Sequence, residues 1–292
     1  MKLELKNISM QFGTKTALNS ITTIMNSGSL IGVIGPNGAG KSTLFKILTT
    51  LLKPTSGQIL LDGQNILEKP KIIQSMMAYL PQHVPYIDNL TLTEYLNYIA
   101  GLKGINKKQA NSQISYLVQR LHLSDVDVKT RLKDYSGGML QRAALCATLL
   151  GNPQIIIVDE PTAGLDPEER INLRNFLSEM AKTKIVIMST HIISDIEAVA
   201  DHLLILNKGK LEYDGVPTEL VNKANGHVWQ IQLSNNVNID QVKNKGQISS
   251  LVQTAEGVTA RIISTQKPLP NAVQVLPHLE DAYLYLEAGD AK

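Results

Sequence analysis

Gly35-Pro36-Asn37-Gly38-Ala39-Gly40-Lys41-Ser42-Thr43 decides the fold. It fulfils the phosphate-loop pattern G-x-x-x-x-G-K-[ST], whose fixed positions recur by chance in about one chain in a hundred of this length. Its flanks agree with it. Leu30–Ile34 is an apolar, strand-sized run, and Lys41–Leu52 reads as a helix. Small residues let successive backbone N–H groups turn inward around phosphate oxygens, and the following helix start adds a positive dipole. Pro36 has no N–H and only shapes the turn. Lys41 is expected to reach the β- and γ-phosphates, and the Ser42 hydroxyl to bind Mg²⁺.

Ile155-Ile156-Ile157-Val158-Asp159-Glu160 is the second signal. An aliphatic strand ending in two carboxylates puts acids at the carboxyl end of a sheet, where open α/β folds bind ligands. Asp159 is expected in the Mg²⁺ shell, with Glu160 orienting or deprotonating the attacking water. Without a phosphate loop earlier in the chain, the same pattern would read as a solvated strand end.

Outward from these motifs the chain alternates strand and helix, which implies a largely parallel sheet covered by helices. Gln58–Leu61, Ile185–Met188 and Leu203–Leu206 read as strands, and segments around Glu168–Lys182 and Ser194–Ala200 as helices. From about Leu90 to Leu150 the pattern is mainly helical, as an insertion into that core. Beyond Val221 a polar break precedes alternation in Val228–Leu233. A strand pair follows, Leu251–Thr254 with Val258–Ile263 joined by Ala255-Glu256-Gly257, and then a helix over Leu279–Glu287. The expected division is residues 1–221, with a helical subdomain at about 90–150, and a small accessory α+β domain at 222–292.

Composition narrows the function classes. The chain has 292 residues, 43% of them hydrophobic, which is enough for a sizeable core and excludes a disordered or fibrous chain. Lys+Arg 28 against Asp+Glu 26 leaves a net charge of +2, too balanced to argue for nucleic acid as a partner. The single cysteine, Cys146, excludes an internal disulfide and a cysteine-rich metal cluster. It is expected to serve as a small buried hydrophobe in a helix. The residues after Met1 lack a signal-peptide core, and no run reaches the ~20 apolar residues of a membrane helix, so a soluble protein in a reducing, cytoplasmic location is expected. Asn207-Lys208-Gly209-Lys210 lacks the acid of a guanine-recognition motif and reads as a hairpin turn.

Tyr135-Ser136-Gly137-Gly138-Met139-Leu140-Gln141-Arg142, before the acidic strand, resembles the signature sequence of the ATP-binding-cassette (ABC) ATPases. The resemblance runs from about Leu3 to Val221. It implies a P-loop NTPase core of the ABC type with a helical subdomain, carrying the small C-terminal α+β domain. It also implies ATP and Mg²⁺ as cofactors, and contact of Ser136, Gly137 and Gly138 with ATP held by an opposing subunit. Further matches come in the family's order. Gln82 resembles the loop glutamine that contacts Mg²⁺ and water. Ala163-Gly164-Leu165-Asp166-Pro167 resembles the dimer-contacting loop, and His191 the switch histidine at the γ-phosphate. Phe12 stands where an aromatic stacks on adenine, although a core phenylalanine reads equally well there. The sequence departs from the family at Phe12, Tyr135 and Met139, while the Ser-Gly-Gly triplet is intact.

One cassette per chain implies a homodimer or heterodimer of ATPase subunits, closed by ATP and released by hydrolysis. The resemblance further implies integral membrane permease subunits as partners, docked near Leu90–Leu96, and a place at the cytoplasmic face of the cell membrane. The separate cassette with its short tail resembles bacterial drug, antibiotic or peptide exporters. An importer ATPase or a soluble non-transport cassette stays open at this point.

Overall fold

The structure, a computed structural model, describes residues 1–83, 86–233, 244–255 and 257–289. The chain forms two compact units, Met1–Asp214 and Gly215–Lys292. In chain order the first holds β1 (Lys2–Phe12), β2 (Lys15–Asn26), β3 (Ser29–Ile34), α1 (Lys41–Leu48), β4 (Ser56–Leu61), β5 (Gln64–Asn65), α2 (Pro70–Met76) and β6 (Met77–Leu80). There follow α3 (Leu92–Leu102), α4 (Lys107–Arg120), α5 (Gly137–Leu149), β7 (Ile155–Asp159), α6 (Pro167–Ala181), β8 (Ile185–Ser189), α7 (Ile193–Glu197), β9 (His202–Asn207) and β10 (Lys210–Gly215).

Two sheets build this unit. One runs β10-β9-β3-β8-β7-β6, and its pairs β9–β3, β3–β8, β8–β7 and β7–β6 are all parallel. Strands buried on both faces need continuous aliphatic runs, and Ile155–Val158 and Ile185–Met188 are fully buried along their length. The other sheet, β2-β1-β4-β5, is antiparallel. Leu3, Leu5, Ile21 and Met25 from that sheet share one core with Phe45 of α1 and with Ile155, Ile157 and Ile187 of the parallel sheet. That core fixes α1, and with it the phosphate loop, between the two sheets.

The helical stretch is α3, α4 and α5, connected by a short 3₁₀ turn at Leu132–Asp134. Thr91 starts α3 in a reciprocal capping box with Glu94. Cys146 lies on α5 fully buried, which pushes its thiol up to about 12. Among the described residues no helix is long and apolar enough to cross a membrane.

The second unit contains α8 (Pro217–Lys223), β11 (Val228–Leu233), β12 (Gln247–Thr254), β13 (Gly257–Ile263), β14 (Val273–Gln274) and α9 (Leu279–Gly289). α8 packs against α9, so it belongs to this unit and the division falls at Gly215 rather than after Val221. The sheet order is β12-β13-β11-β14, with antiparallel pairing throughout. Glu256, read as part of a turn, lies outside the described residues. Ile231, Leu233, Ala260 and Ile262 form the unit's own core. Asp281 of α9, almost fully buried, accepts hydrogen bonds from Arg261 Nε at 2.8 Å and Ser249 Oγ at 2.6 Å, which fastens the helix to the sheet.

Candidate functional site

Four neighbouring parallel strands end on one edge of the sheet, and each delivers a candidate group there. β3 runs into Gly35, β7 ends at Asp159 before Glu160, β8 ends at Ser189 before His191, and β6 leads through Pro81 to Gln82. Ligands of open α/β sheets bind at this carboxyl edge.

The phosphate loop is built tightly. A side chain at Gly35 would place Cβ 2.0 Å from the Leu206 carbonyl oxygen of β9, so only glycine fits. Ala39 N donates to Pro36 O at 3.1 Å, and Gly209 N donates to Ala39 O at 2.9 Å. The Lys208–Gly209 turn, read from sequence as a plain hairpin, therefore buttresses the loop. Gly40 caps α1 in the left-handed region. The Lys41 ammonium donates to the carbonyls of Gly35 and of Pro36, the latter at 3.1 Å, and so sits across the loop's mouth. Burial lowers the Lys41 pKa from its ordinary value, against the pull of Glu160 and Asp159.

A cleft of about 270 Å³ opens over the loop, lined by Asn37 to Thr43 together with Phe12, Lys15, Ala17, Gln82, Asp159 and Glu160. Phe12 ends β1 half exposed, at 49%, so it belongs to the cleft wall and not to the core. Lys15 was not singled out from sequence. The hairpin pairing Phe12↔Lys15 puts the two side by side, and the Gly13-Thr14 turn was the signal that could have found it.

Asp159 is 5% exposed. One carboxylate oxygen accepts from Ser189, and the other lies 3.5 Å from Ser42 Oγ. Burial raises its pKa, and the Glu160 charge adds to this, against the Ser189 bond, Lys41 and Ser42. A buried carboxylate facing a hydroxyl across a short gap, beside an amide side chain, is a set of hard oxygen donors. Those residues fit a Mg²⁺ ion.

Glu160 takes a left-handed backbone, φ 51°, held by its N–H donating to Ser189 O and Oγ, both at 3.1 Å. Its Oε2 accepts from Gln82 Nε2 at 3.0 Å and lies 3.2 Å from His191 Nδ1. Two residues far apart in the chain, Gln82 and His191, thus converge on one carboxylate oxygen of Glu160.

The signature triplet is elsewhere. Among the described residues Ser136, Gly137 and Gly138 do not line this cleft. Ser136 caps α5, its Oγ accepting from Met139 N at 3.2 Å, and around Gly137 a Cβ would meet nothing within 4 Å. Asp166 is exposed and caps α6, accepting from Glu169 N at 2.8 Å, with Pro167 at the first helical position. Gly137 lines a second cavity, of about 320 Å³, with Gln82, His83, Tyr86, Tyr95 and Leu140.

A glycine-rich loop before a helix, with two acids at the end of a parallel strand one removed in the same sheet, defines a P-loop nucleoside triphosphatase. The sequence matches the family described as ABC transporter over residues 18–163. It is 31% identical over 231 residues to the "uncharacterized ABC transporter ATP-binding protein YxlF" of Bacillus subtilis (strain 168), covering 79% of this chain and 76% of that one. It is 33% identical over 230 residues to the bacitracin transport ATP-binding protein BcrA of Bacillus licheniformis, covering 78% and 74%. Against two longer relatives it spans about a quarter of their length. A solved structure of an ATP-binding subunit of an ABC transporter superposes with TM-score 0.69 at 28% identity, over 76% of this chain and 93% of that one. The chain belongs to the ABC transporter family, as its ATP-binding-cassette ATPase.

Proposed function

We propose that this chain is the ATP-binding and ATP-hydrolysing subunit of an exporter, acting on separate membrane subunits from the cytoplasmic face. The observation that carries the hydrolytic part is the convergence of Gln82 and His191 on Glu160 Oε2 at the lip of the phosphate-loop cleft. Phe12 stacks on the base, and Gly35 to Thr43 cradle the phosphates. Lys41 turns from the loop carbonyls to the β- and γ-phosphates, exchanging neutral acceptors for charged ones. Ser42, Asp159 and Gln82 would hold Mg²⁺, which when bound would supply neutralisation of charge on the phosphates. Glu160 orients and deprotonates the attacking water, and His191 and Gln82 fix its carboxylate.

Ser136, Gly137 and Gly138 lie outside their own cleft, while the open face at Gly137 and the start of α5 make an anion site. In this reading they close over the nucleotide of a second cassette, and Asp166 lies in the contacting loop. The bond between halves then depends on the γ-phosphate, so hydrolysis releases it. The cavity beside Gln82 and Tyr95 lies next to the expected permease-docking stretch Leu90–Leu96. The transport role is supported by BcrA, a bacitracin transport protein by name. The second unit is an accessory domain.

The decisive variant is Glu160→Gln. It is expected to bind ATP like the natural protein while steady-state phosphate release falls by at least about a hundredfold. Turnover at the natural rate would overturn the role of Glu160.

A further inference from the structure

Asp195 is a buried carboxylate that the hydrolytic machinery does not use, 2% exposed and held from three sides. Its Oδ2 accepts from Thr162 Oγ1 at 2.7 Å and lies 3.4 Å from Arg170, while Oδ1 accepts from Arg174 at 3.0 Å. Both arginines keep a buried Nε with no hydrogen-bond partner among the described residues, so their guanidinium groups are placed chiefly by this one carboxylate. Buried ion pairs seldom add much net stability over apolar packing, so such a cluster fits a geometric role better than a stabilising one.

The geometry follows from where these residues sit. Thr162 is two residues beyond Glu160, and Asp195 is four beyond His191. At their bases the two loops are already joined, by Ser189 to Asp159 and to the Glu160 backbone. At their far ends the Thr162–Asp195 bond joins them again and closes a ring through Glu160 and His191. Inside that ring the His191 side chain is 61% exposed and lies 3.2 Å from Glu160. α7 is five residues long and has no side-chain N-cap, and the backbone after His191 is held by Ile192 N donating to Thr190 Oγ1 at 3.0 Å and, further on, by buried Ile196 and the Asp195 cluster. Glu160 itself sits in a left-handed conformation that persists only when its surroundings dictate it. Arg170 and Arg174 extend the ring to α6, whose N-cap is Asp166.

We propose that Asp195 is a positioning residue for hydrolysis: through the Thr162 hydroxyl it fixes the spacing of Glu160 and His191. The proposal rests on the hydrolytic reading of those two residues. Thr162→Val is the sharper test, because it keeps the side-chain shape and leaves Asp195 both arginines. Asp195→Asn, which strips charge from that buried cluster, is the second variant. For Thr162→Val, kcat is expected to fall ten- to a hundredfold, the scale of a small misplacement at a reacting group. The ATP KM stays at its natural value, and Thr162→Ser, which keeps the hydroxyl, restores kcat. Equal impairment of Thr162→Val and Thr162→Ser would overturn the proposal. So would natural turnover by Thr162→Val while Glu160→Gln and His191→Ala are inactive. If those two variants themselves turn over normally, the hydrolytic reading fails and this proposal fails with it.

Discussion

Gly40 shows how far single residues carry the account. Its φ of 113° lies outside the range of L side chains, and a Cβ there would meet Leu18 Cδ2 at 2.7 Å and the Ala17 carbonyl oxygen at 2.8 Å. Gly40→Ala therefore adds backbone strain of order 1–3 kcal/mol and pushes the loop out of register with α1. A fluorescent-nucleotide titration should show affinity reduced more than about tenfold; natural affinity would count against the loop geometry. The phosphate loop was legible in the sequence because its chemistry is local, with every backbone donor inside nine residues. Glu160 was legible from the acidic end of an aliphatic strand behind a phosphate loop, whereas His191 and Gln82 were legible only through the family's order of motifs. Thr162, Ser189 and Asp195 were not, because one hydroxyl or carboxylate in an apolar context carries no periodic signal. Lys15 was masked in the same way by being one exposed lysine among many.

Elements were read best where burial makes the pattern uniform. The runs Ile155–Val158 and Leu203–Leu206 fall inside β7 and β9. In the hairpin of β1 and β2, alternation with charged residues is clean only at Leu3 and Leu5. Register shifts between Leu5 and Ile8, and again around Met10, break the alternation that marks a half-buried strand. α2 and β6 escaped for another reason. The helix ends at Met76 and the strand begins at Met77, so no turn residue separates them. The second unit depends on contacts that sequence cannot display, foremost the Arg261–Asp281 pair between β13 and α9. Asp281→Ala leaves that guanidinium without its carboxylate and should cost ~3–5 kcal/mol. The measurable result is early loss of amide protection in β12, β13 and α9 during urea titration. Unchanged protection there would show that the pair does not hold the helix.

For the whole molecule, the governing observation is that Ser136, Gly137 and Gly138 stand apart from the phosphate-loop cleft. Phe12, the phosphate loop, Asp159 and Glu160 line one cleft and His191 lies beside Glu160, yet the start of α5 with Ser136, Gly137 and Gly138 is not among the residues lining that cleft. Fold and motif order were readable from the chain, and the resemblance already implied that these residues serve a second subunit's nucleotide; the structure adds that they do not line their own cleft. A second cassette supplying its own α5 is the arrangement that fits. Sedimentation of the Glu160→Gln protein in saturating ATP without magnesium tests this most directly, alone and with its membrane subunits. The account predicts monomer without nucleotide and a shift to a dimer when ATP is added; a chain that stays monomeric under every one of these conditions would contradict it.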